Sequence, residues 1–372
     1  MPPDLWRRAA RLRRRLEVRR TQRAVDRLLA ARGPVAAGTA EVVVYFPDGA
    51  VNLYQLRQWY EPLRHLARTH PVVIVTRTAH ATHAALRESA LPVVQLRRIG
   101  DYEAWLATQR VRAVLYVNQN VRNFSALRFA EPAHVFISHG ESDKAYMASN
   151  QAKAYDHVLV AGQAAVDRLE RAVVGIDPAR LVPIGRPQLD VEHEAPALPA
   201  DGRTVVLYAP TWEGDRPSMS YSSVASHGHQ MVAALIATGR HRVIYRPHPR
   251  TGLVDRAHAR ADSQIRAAIG AANRADPAAH HLVDLGGDYG WQLAHADFCV
   301  TDVSAVAFDW LATSKPFTIT APLAPEAVVD PEGLVGAVRL LPASEAAQIV
   351  RIVDEGLARG LDEDLLRLVR HY

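Results

Sequence analysis

The chain has 372 residues, 48% of them hydrophobic, with one cysteine (Cys299) and a formal net charge of +5. This length exceeds what one core fills, so two domains are expected, and a lone cysteine excludes a disulfide framework or a thiolate metal cluster. No run of about 18 apolar residues is present, so no membrane-spanning helix is expected. The N-terminus lacks the apolar core of a secretion signal, which fits a reduced cytoplasmic compartment.

The charge is unevenly placed. Residues 1–35 carry 11 Arg, no Lys and three acids (Asp4, Glu17, Asp26), a net of +8 against +5 for the whole chain, so residues 36–372 sum to −3. Residues 4–32 lack Pro and Gly and predict a helix. Leu5, Ala9, Leu12 and Leu16 share one face, while Val18, Thr21, Val25 and Leu28 form a stripe roughly opposite. Such a helix lays its first half on one surface and docks its second half on another. Trp6 beside the Arg run suits an anionic lipid surface, where each cation is worth about 1 kcal/mol. The alternatives are a helix packed wholly on its own body and a nucleic-acid-binding arm.

From Glu41 onward, short apolar runs alternate with amphipathic stretches. The predicted strands are Val42–Phe46, Val72–Thr76, Val93–Leu96, Ala113–Val117, Val135–Ser138 and His157–Val160, with helical stretches at Leu53–Arg68 and Ala79–Ser89. Near-continuous Val/Ile runs separated by helices predict a parallel sheet covered on both faces. Val191–Gly202 loses the periodicity and reads as a linker. The alternation then resumes with strands Val205–Tyr208, Val243–Tyr245, Leu282–Val283, Phe298–Val300 and Phe317–Thr320, and helices across Gln230–Thr238 and Val254–Ile269. Ser344 is expected to cap a further helical segment, and Leu361–Val369 to form another. The expected organisation is α/β: a basic helix (1–35), two Rossmann-like domains (36–190 and 203–340) and C-terminal helices (341–372). A ligand is expected in the cleft between the domains, at the carboxyl ends of the strands. Pro47-Asp48-Gly49 stands where a Gly-x-Gly-x-x-Gly turn would follow the first strand, so no dinucleotide cofactor is expected.

Four polar clusters each end a predicted strand. Thr301, Asp302 and Ser304 form a turn into a helix over Ala305–Thr313 capped by Ser304, a place where backbone N–H groups and the positive dipole end suit phosphate. His139, followed by Gly140, is placed for general base work near neutral pH. In Arg246-Pro247-His248-Pro249-Arg250 two prolines stiffen the backbone, and stiff cations suit charge on a phosphoryl group. In Ala209-Pro210-Thr211-Trp212, Trp212 is a candidate to stack on a base and Thr211 to bind phosphate. His227-x-His229 and His280-His281 lack a carboxylate at helical spacing, so no metal site is expected.

These residues, in this order, resemble the CDP-glycerol glycerophosphotransferases of teichoic acid and capsule synthesis. The resemblance rests on His139-Gly140, Ala209-Pro210-Thr211-Trp212, Arg246-Pro247-His248-Pro249 and Thr301-Asp302-x-Ser304-x-x-x-Phe308-Asp309, with Tyr155-Asp156 and Ile184-Gly185-Arg186-Pro187-Gln188-Leu189-Asp190 fitting between them. It implies a GT-B fold and metal-independent transfer of glycerol phosphate from CDP-glycerol to a hydroxyl of a lipid-linked acceptor. It also implies a peripheral enzyme on the inner face of the cell membrane. By the same resemblance His139 is the base, His248 with Arg246 stabilises the diphosphate as CMP departs, and Thr301, Asp302, Ser304 and Ala305 hold the donor phosphates. Glu141 stands where the family has Thr, Ala305 where it has a second Ser, and Gln188 where it has Arg, so CDP-ribitol or another nucleotide-linked polyol remains an alternative donor. Glu141 is expected to add negative charge near the phosphate site. Two other functions remain open: a GT-B glycosyltransferase using a nucleotide sugar, and a non-enzymatic nucleic-acid binder acting through the Arg-rich tail. The near-neutral body argues against the last.

Overall fold

The computed structural model describes residues 3–144, 147–287, 289–360 and 362–372, with side chains described for all of these except 3–11 and 14. The chain divides into two compact units: Met1–His139 with Asn150–Leu159 and Ala179–Val182, and Gly140–Ser149 with Val160–Pro178 and Pro183–Tyr372. The division does not fall at the 191–202 segment, and the C-terminal helices belong to the second unit. Leu189, Ala195 and Leu198 pack against that unit's core beside Trp291 and Trp310, so the irregular stretch is laid down on a surface.

The seven-stranded sheet uses β1 (Val42–Phe46), β2 (Val72–Thr76), β3 (Val93–Gln95), β4 (Ala113–Tyr116), β5 (Ala133–Phe136), β6 (His157–Val160) and β7 (Leu181–Pro183). Its order is β3-β2-β1-β4-β5-β6-β7, with parallel pairing from β3 through β6. Every residue of β1 and β2 is buried, which is why these strands read as unbroken apolar runs. The chain leaves β1 toward one side and β4 toward the other, so β1 and β4 flank the point where strand order reverses.

A first helix spans Pro3–Arg32. Its second half is docked: Val25 is fully buried and Leu28 and Leu29 pack on the same core. Burial of one such side chain contributes roughly 1.5–3 kcal/mol. Gln22 also exchanges hydrogen bonds with Gln95. Leu12, Leu16 and Val18 are exposed, while the side chains of Leu5, Trp6 and Ala9 lie outside the described residues. The stretch expected as one helix over Leu53–Arg68 is two, Tyr54–Arg57 and Tyr60–Leu66. The break turns Trp59 inward, where its indole N–H donates to the Ser138 carbonyl.

The second sheet uses β8 (Thr204–Ala209), β9 (His241–Tyr245), β10 (Leu282–Val283), β11 (Phe298–Thr301), β12 (Phe317–Thr320) and β13 (Leu340–Leu341). It is parallel throughout, in the order β10-β9-β8-β11-β12-β13. Here β8 and β11 flank the reversal. The helix over His229–Ala237 is preceded by a π-helical turn, Val224–Gly228. A Cβ on Gly228 would sit 2.7 Å from the Tyr208 hydroxyl, so glycine is required for the close approach. Asp255 caps the helix over Arg256–Ala275. Ser344 lies inside a 3-10 turn, Ala343–Gln348, rather than at a helix cap. The helix Ile349–Arg359 follows, and Ile349 and Val353 complete the core over β8 and β11. The last helix is Glu363–His371, capped by Asp362, and the expected start at Leu361 lies outside the described residues. No helix among the described residues is long and apolar enough to cross a membrane.

Candidate functional site

In the first unit, the loops after β1, β4 and β5 bring one imidazole among neutral amides. Ser138 takes a left-handed backbone, φ 53°, immediately before His139. A non-glycine residue there costs on the order of 1–3 kcal/mol, and the Trp59 indole on the Ser138 carbonyl helps hold it. The His139 Nδ1 lies 3.2 Å from the Val117 carbonyl oxygen. A carbonyl only accepts, so Nδ1 carries the proton of the neutral ring and Nε2 presents its lone pair. Asn118 Nδ2 donates to Gln55 Oε1 at 2.7 Å and to Asp48 Oδ2 at 3.3 Å. That fixes the Gln55 amide so that its Nε2 faces His139 Nε2 at 3.5 Å. Tyr54 meets the imidazole edge to face, 6.0 Å between centroids. Asp48 is anchored by Gly49 N at 2.7 Å and Asn52 Nδ2 at 2.8 Å.

In the second unit the cluster is built of charges. Asp302 is fully buried, its Oδ2 accepting from Thr211 N at 2.7 Å and Ser223 N at 3.2 Å, and its Oδ1 from the Thr320 hydroxyl at 2.5 Å. Burial pushes its carboxyl above the ordinary range, against the pull of those donors. Thr301 Oγ1 donates to the Ala209 carbonyl at 2.8 Å and lies 3.1 Å from Ser304 Oγ. The Lys144 ammonium donates to Thr211 Oγ1 at 3.0 Å and lies 5.3 Å from the centre of the Tyr221 ring. Burial lowers its pKa to about 8, opposed by the charge of Asp302.

Around His248 the order of donors is the reverse of that at His139. Its Nδ1 accepts the Arg250 backbone N–H at 3.1 Å, so the neutral ring carries its proton on Nε2. The imidazole stacks on Trp212 at 6.3 Å, and the Arg250 guanidinium sits 3.6 Å from the centre of the indole. Glu213 fixes the following loop by accepting from Gly252 N, Val254 N and Asp255 N at 2.9, 2.9 and 3.2 Å.

His139 thus belongs to the first unit, and Gly140, Thr211, Trp212, Arg246, His248, Thr301, Asp302, Ser304 and Ala305 to the second. The second unit joins Trp212 to His248, and Thr211 to Asp302. A Cβ on Gly140 would come 2.7 Å from Ala305 Cβ, so Gly140 lets this loop pass close to the helix start.

Several expected roles need correction. Trp212 is buried, with the His248 imidazole stacked on its indole and the Arg250 guanidinium over its ring, so the contacts it makes are with the His248 loop. The side chains of Thr301 and Asp302 are spent on tying β8, β11 and β12 together. Ser304 precedes the helix Ala305–Leu311, but its hydroxyl makes no cap hydrogen bond. Arg246 is not a bare cation: it pairs with Asp284, which also accepts from Gln292 Nε2. Glu141 is buried against Arg168, so its charge is matched. Sequence reasoning missed Lys144, Gln55 and Asn118. Lys144 lies five residues after His139 in a stretch without periodicity, and an isolated amide such as Gln55 or Asn118 carries no motif.

Two Rossmann-like units of this kind make a GT-B-like α/β fold. A family model, CDP-Glycerol:Poly(glycerophosphate) glycerophosphotransferase, matches residues 133–323, just over half of the chain. The chain belongs to this family and is a glycerophosphotransferase-like enzyme. Among solved structures it is similar to the wall teichoic acid polymerase TagF, with TM-score 0.57 and 13% identity over 99% of this chain and 93% of that one. It is also similar to a putative UDP-N-acetylglucosamine 2-epimerase from Listeria monocytogenes, with TM-score 0.55 and 12% identity over 90% and 92% of the two chains. At these identities the likeness speaks for the fold alone. No curated protein matches the chain in sequence.

Proposed function

We propose that the enzyme moves glycerol phosphate, or a closely related polyol phosphate, from a CDP-activated donor to a hydroxyl of a lipid-linked acceptor in cell-envelope polymer synthesis. The observation that carries this reading is the opposed tautomers of its two histidines. His139 offers a lone pair at Nε2 and His248 a proton at Nε2, as a base and an electrophilic donor require. In the proposed reaction His139 Nε2 takes the proton of the acceptor hydroxyl, and the oxygen attacks the glycerol-bearing phosphorus. The new P–O bond forms as the anhydride P–O bond breaks and CMP leaves. His248 Nε2–H meets the charge growing on the phosphate oxygens. Arg246, Thr211, Ser304 and the backbone at Ala305 serve the donor phosphates, with Thr301 and Asp302 as their supports and Gly140 giving room.

The deciding experiment is a donor screen read as release of the nucleotide leaving group, CMP from CDP-glycerol or CDP-ribitol and UDP from UDP-sugars, with each donor presented in turn. Turnover with CDP-glycerol supports the reading, and turnover with UDP-sugars alone overturns it in favour of a nucleotide-sugar transferase. For the first helix we propose contact with an anionic membrane surface through residues 1–35, which would place the enzyme at the inner face of the cell membrane. The exposed Leu12, Leu16 and Val18 beside the Arg run support this. Flotation with phosphatidylglycerol vesicles tests it: binding should fall steeply with salt and vanish when residues 1–20 are deleted, and an unbound full-length protein at low salt rejects it.

A further inference from the structure

The contact between Gln55 and His139 has an odd length. Two nitrogens at 3.5 Å stand at the outer limit of a hydrogen bond, yet both are held by stronger partners. Asn118 clamps the amide through its oxygen at 2.7 Å, and the Val117 carbonyl holds the ring through Nδ1 at 3.2 Å. The Gln55 amide also lies 3.2 Å from the Tyr54 hydroxyl, and Tyr54 in turn walls the imidazole. The amide N–H and the imidazole Nε2 therefore face each other across 3.5 Å.

An alcohol would supply both groups with a normal partner, donating its proton to His139 Nε2 and accepting from Gln55 Nε2–H, and at about 2.9 Å to each it asks the two nitrogens to part to roughly 4.5–5 Å. We propose that Gln55 and His139 together form a two-point clamp for the acceptor hydroxyl, making Gln55 a substrate-binding residue of the reaction. Proton loss to His139 then leaves the nucleophilic oxygen still held by the Gln55 N–H and aimed at phosphorus. Asn118 and Asp48 are positioning residues that set which end of the amide faces the ring. Asp48, Gln55 and Asn118 all lie outside residues 133–323, the part matched to the family, while His139 lies within it. The inference rests on the assignment of His139 as base.

The test measures CMP release from CDP-glycerol with a prenyl-linked glycerol phosphate in mixed micelles as acceptor probe. Gln55→Met should lower kcat/KM for the acceptor roughly 10-fold while the KM for CDP-glycerol stays within about two-fold, since one hydrogen bond to the alcohol is lost. Gln55→Glu keeps the size, replaces the donor by an acceptor, and should lose at least as much. It carries the test if Gln55→Met melts early. Wild-type acceptor kinetics in both variants, or equal changes in donor and acceptor KM, would overturn the clamp. His139→Ala in the same assay separates the failures: if it is inactive while both Gln55 variants behave normally, only the clamp falls, and if it turns over normally, base and clamp fall together.

Discussion

The two units carry the same architecture and opposite electrostatics. In each, a polar cluster gathers in the loops that follow parallel strands about the reversal of strand order, β1, β4 and β5 in one, β8, β9 and β11 in the other. The first cluster is mostly neutral: His139, Gln55, Asn118 and Tyr54, with Asp48 one step removed. The second is crowded with charge, including Lys144, Asp302, Arg246 with Asp284, and Arg186 with Asp309. A neutral surround lets an imidazole give and take a proton without a fixed counter-charge, whereas a charged one suits an anion. The fold supplies the same place twice, and in the proposed reaction the residues planted there divide the work, the proton to one and the phosphate to the other.

The largest effect that would break this contrast is in stability. Asp302→Ala leaves two buried backbone N–H groups and the Thr320 hydroxyl without their acceptor, and should cost about 3–5 kcal/mol in urea unfolding. Asp48→Ala, in the half-buried first cluster, should cost no more than about 1–2 kcal/mol. Equal losses would erase the difference between the clusters.

Next comes Lys144. Its folded pKa of about 8 lies below its ordinary 10.5, so between those values the unfolded chain binds more protons than the folded one. Stability contributed by this group is therefore present above pH 10.5 and is lost as pH falls through 8, an amount on the order of 3 kcal/mol. Lys144→Met should remove that slope. The readout is the difference between wild-type and variant stability across pH 8 to 10.5, which cancels the other groups that titrate there. A difference that stays flat would mean that Lys144 is not buried as a cation.

The histidines sharpen the contrast in activity. His139→Ala and His248→Ala should each cut turnover by about 100-fold or more with the fold intact, the scale of a lost acid–base or oxyanion group. Glutamine should then tell them apart. At position 248 its N–H can replace the Nε2 donor and recover part of the loss, while at 139 an amide cannot accept and hold a proton. Recovery at 139 but not at 248 would reverse the assigned roles.

Much of the fold was legible because parallel strands buried on both faces write themselves as Val/Ile runs. β1, β2, β6, β10 and β12 fall at the predicted residues, and most other strands within a residue or two. The strands that went unseen, β7 and β13, are three and two residues long, and Pro183 in the first hides any strand signal. At the site, His139 and His248 were legible because each follows a strand beside Gly or Pro. The duties of Trp212, Thr301 and Asp302 were not, because a polar residue after a strand looks alike whether it faces a ligand or ties two strands together. Only the partners decide, and for Asp302 they are far away in sequence at Thr211, Ser223 and Thr320. Glu141 shows the same thing, since its neutralising partner, Arg168, lies 27 residues on.

Trp212 gives the smallest and most discriminating effect. If its indole braces the His248 loop, Trp212→Phe keeps an aromatic surface under His248 and loses part of the guanidinium contact of Arg250, worth about 0.5–1 kcal/mol. Stability should fall by about that amount, and the KM for CDP-glycerol should move less than about three-fold. If instead the indole stacked on the cytosine of the donor, the smaller ring would weaken a contact worth about 1–3 kcal/mol per base, and the KM would rise with little change in melting. The two outcomes move opposite observables. A brace is read in the melting curve and a stacking platform in the donor KM, so one variant measured both ways decides whether the residue that looked most like a nucleotide contact in the sequence is one.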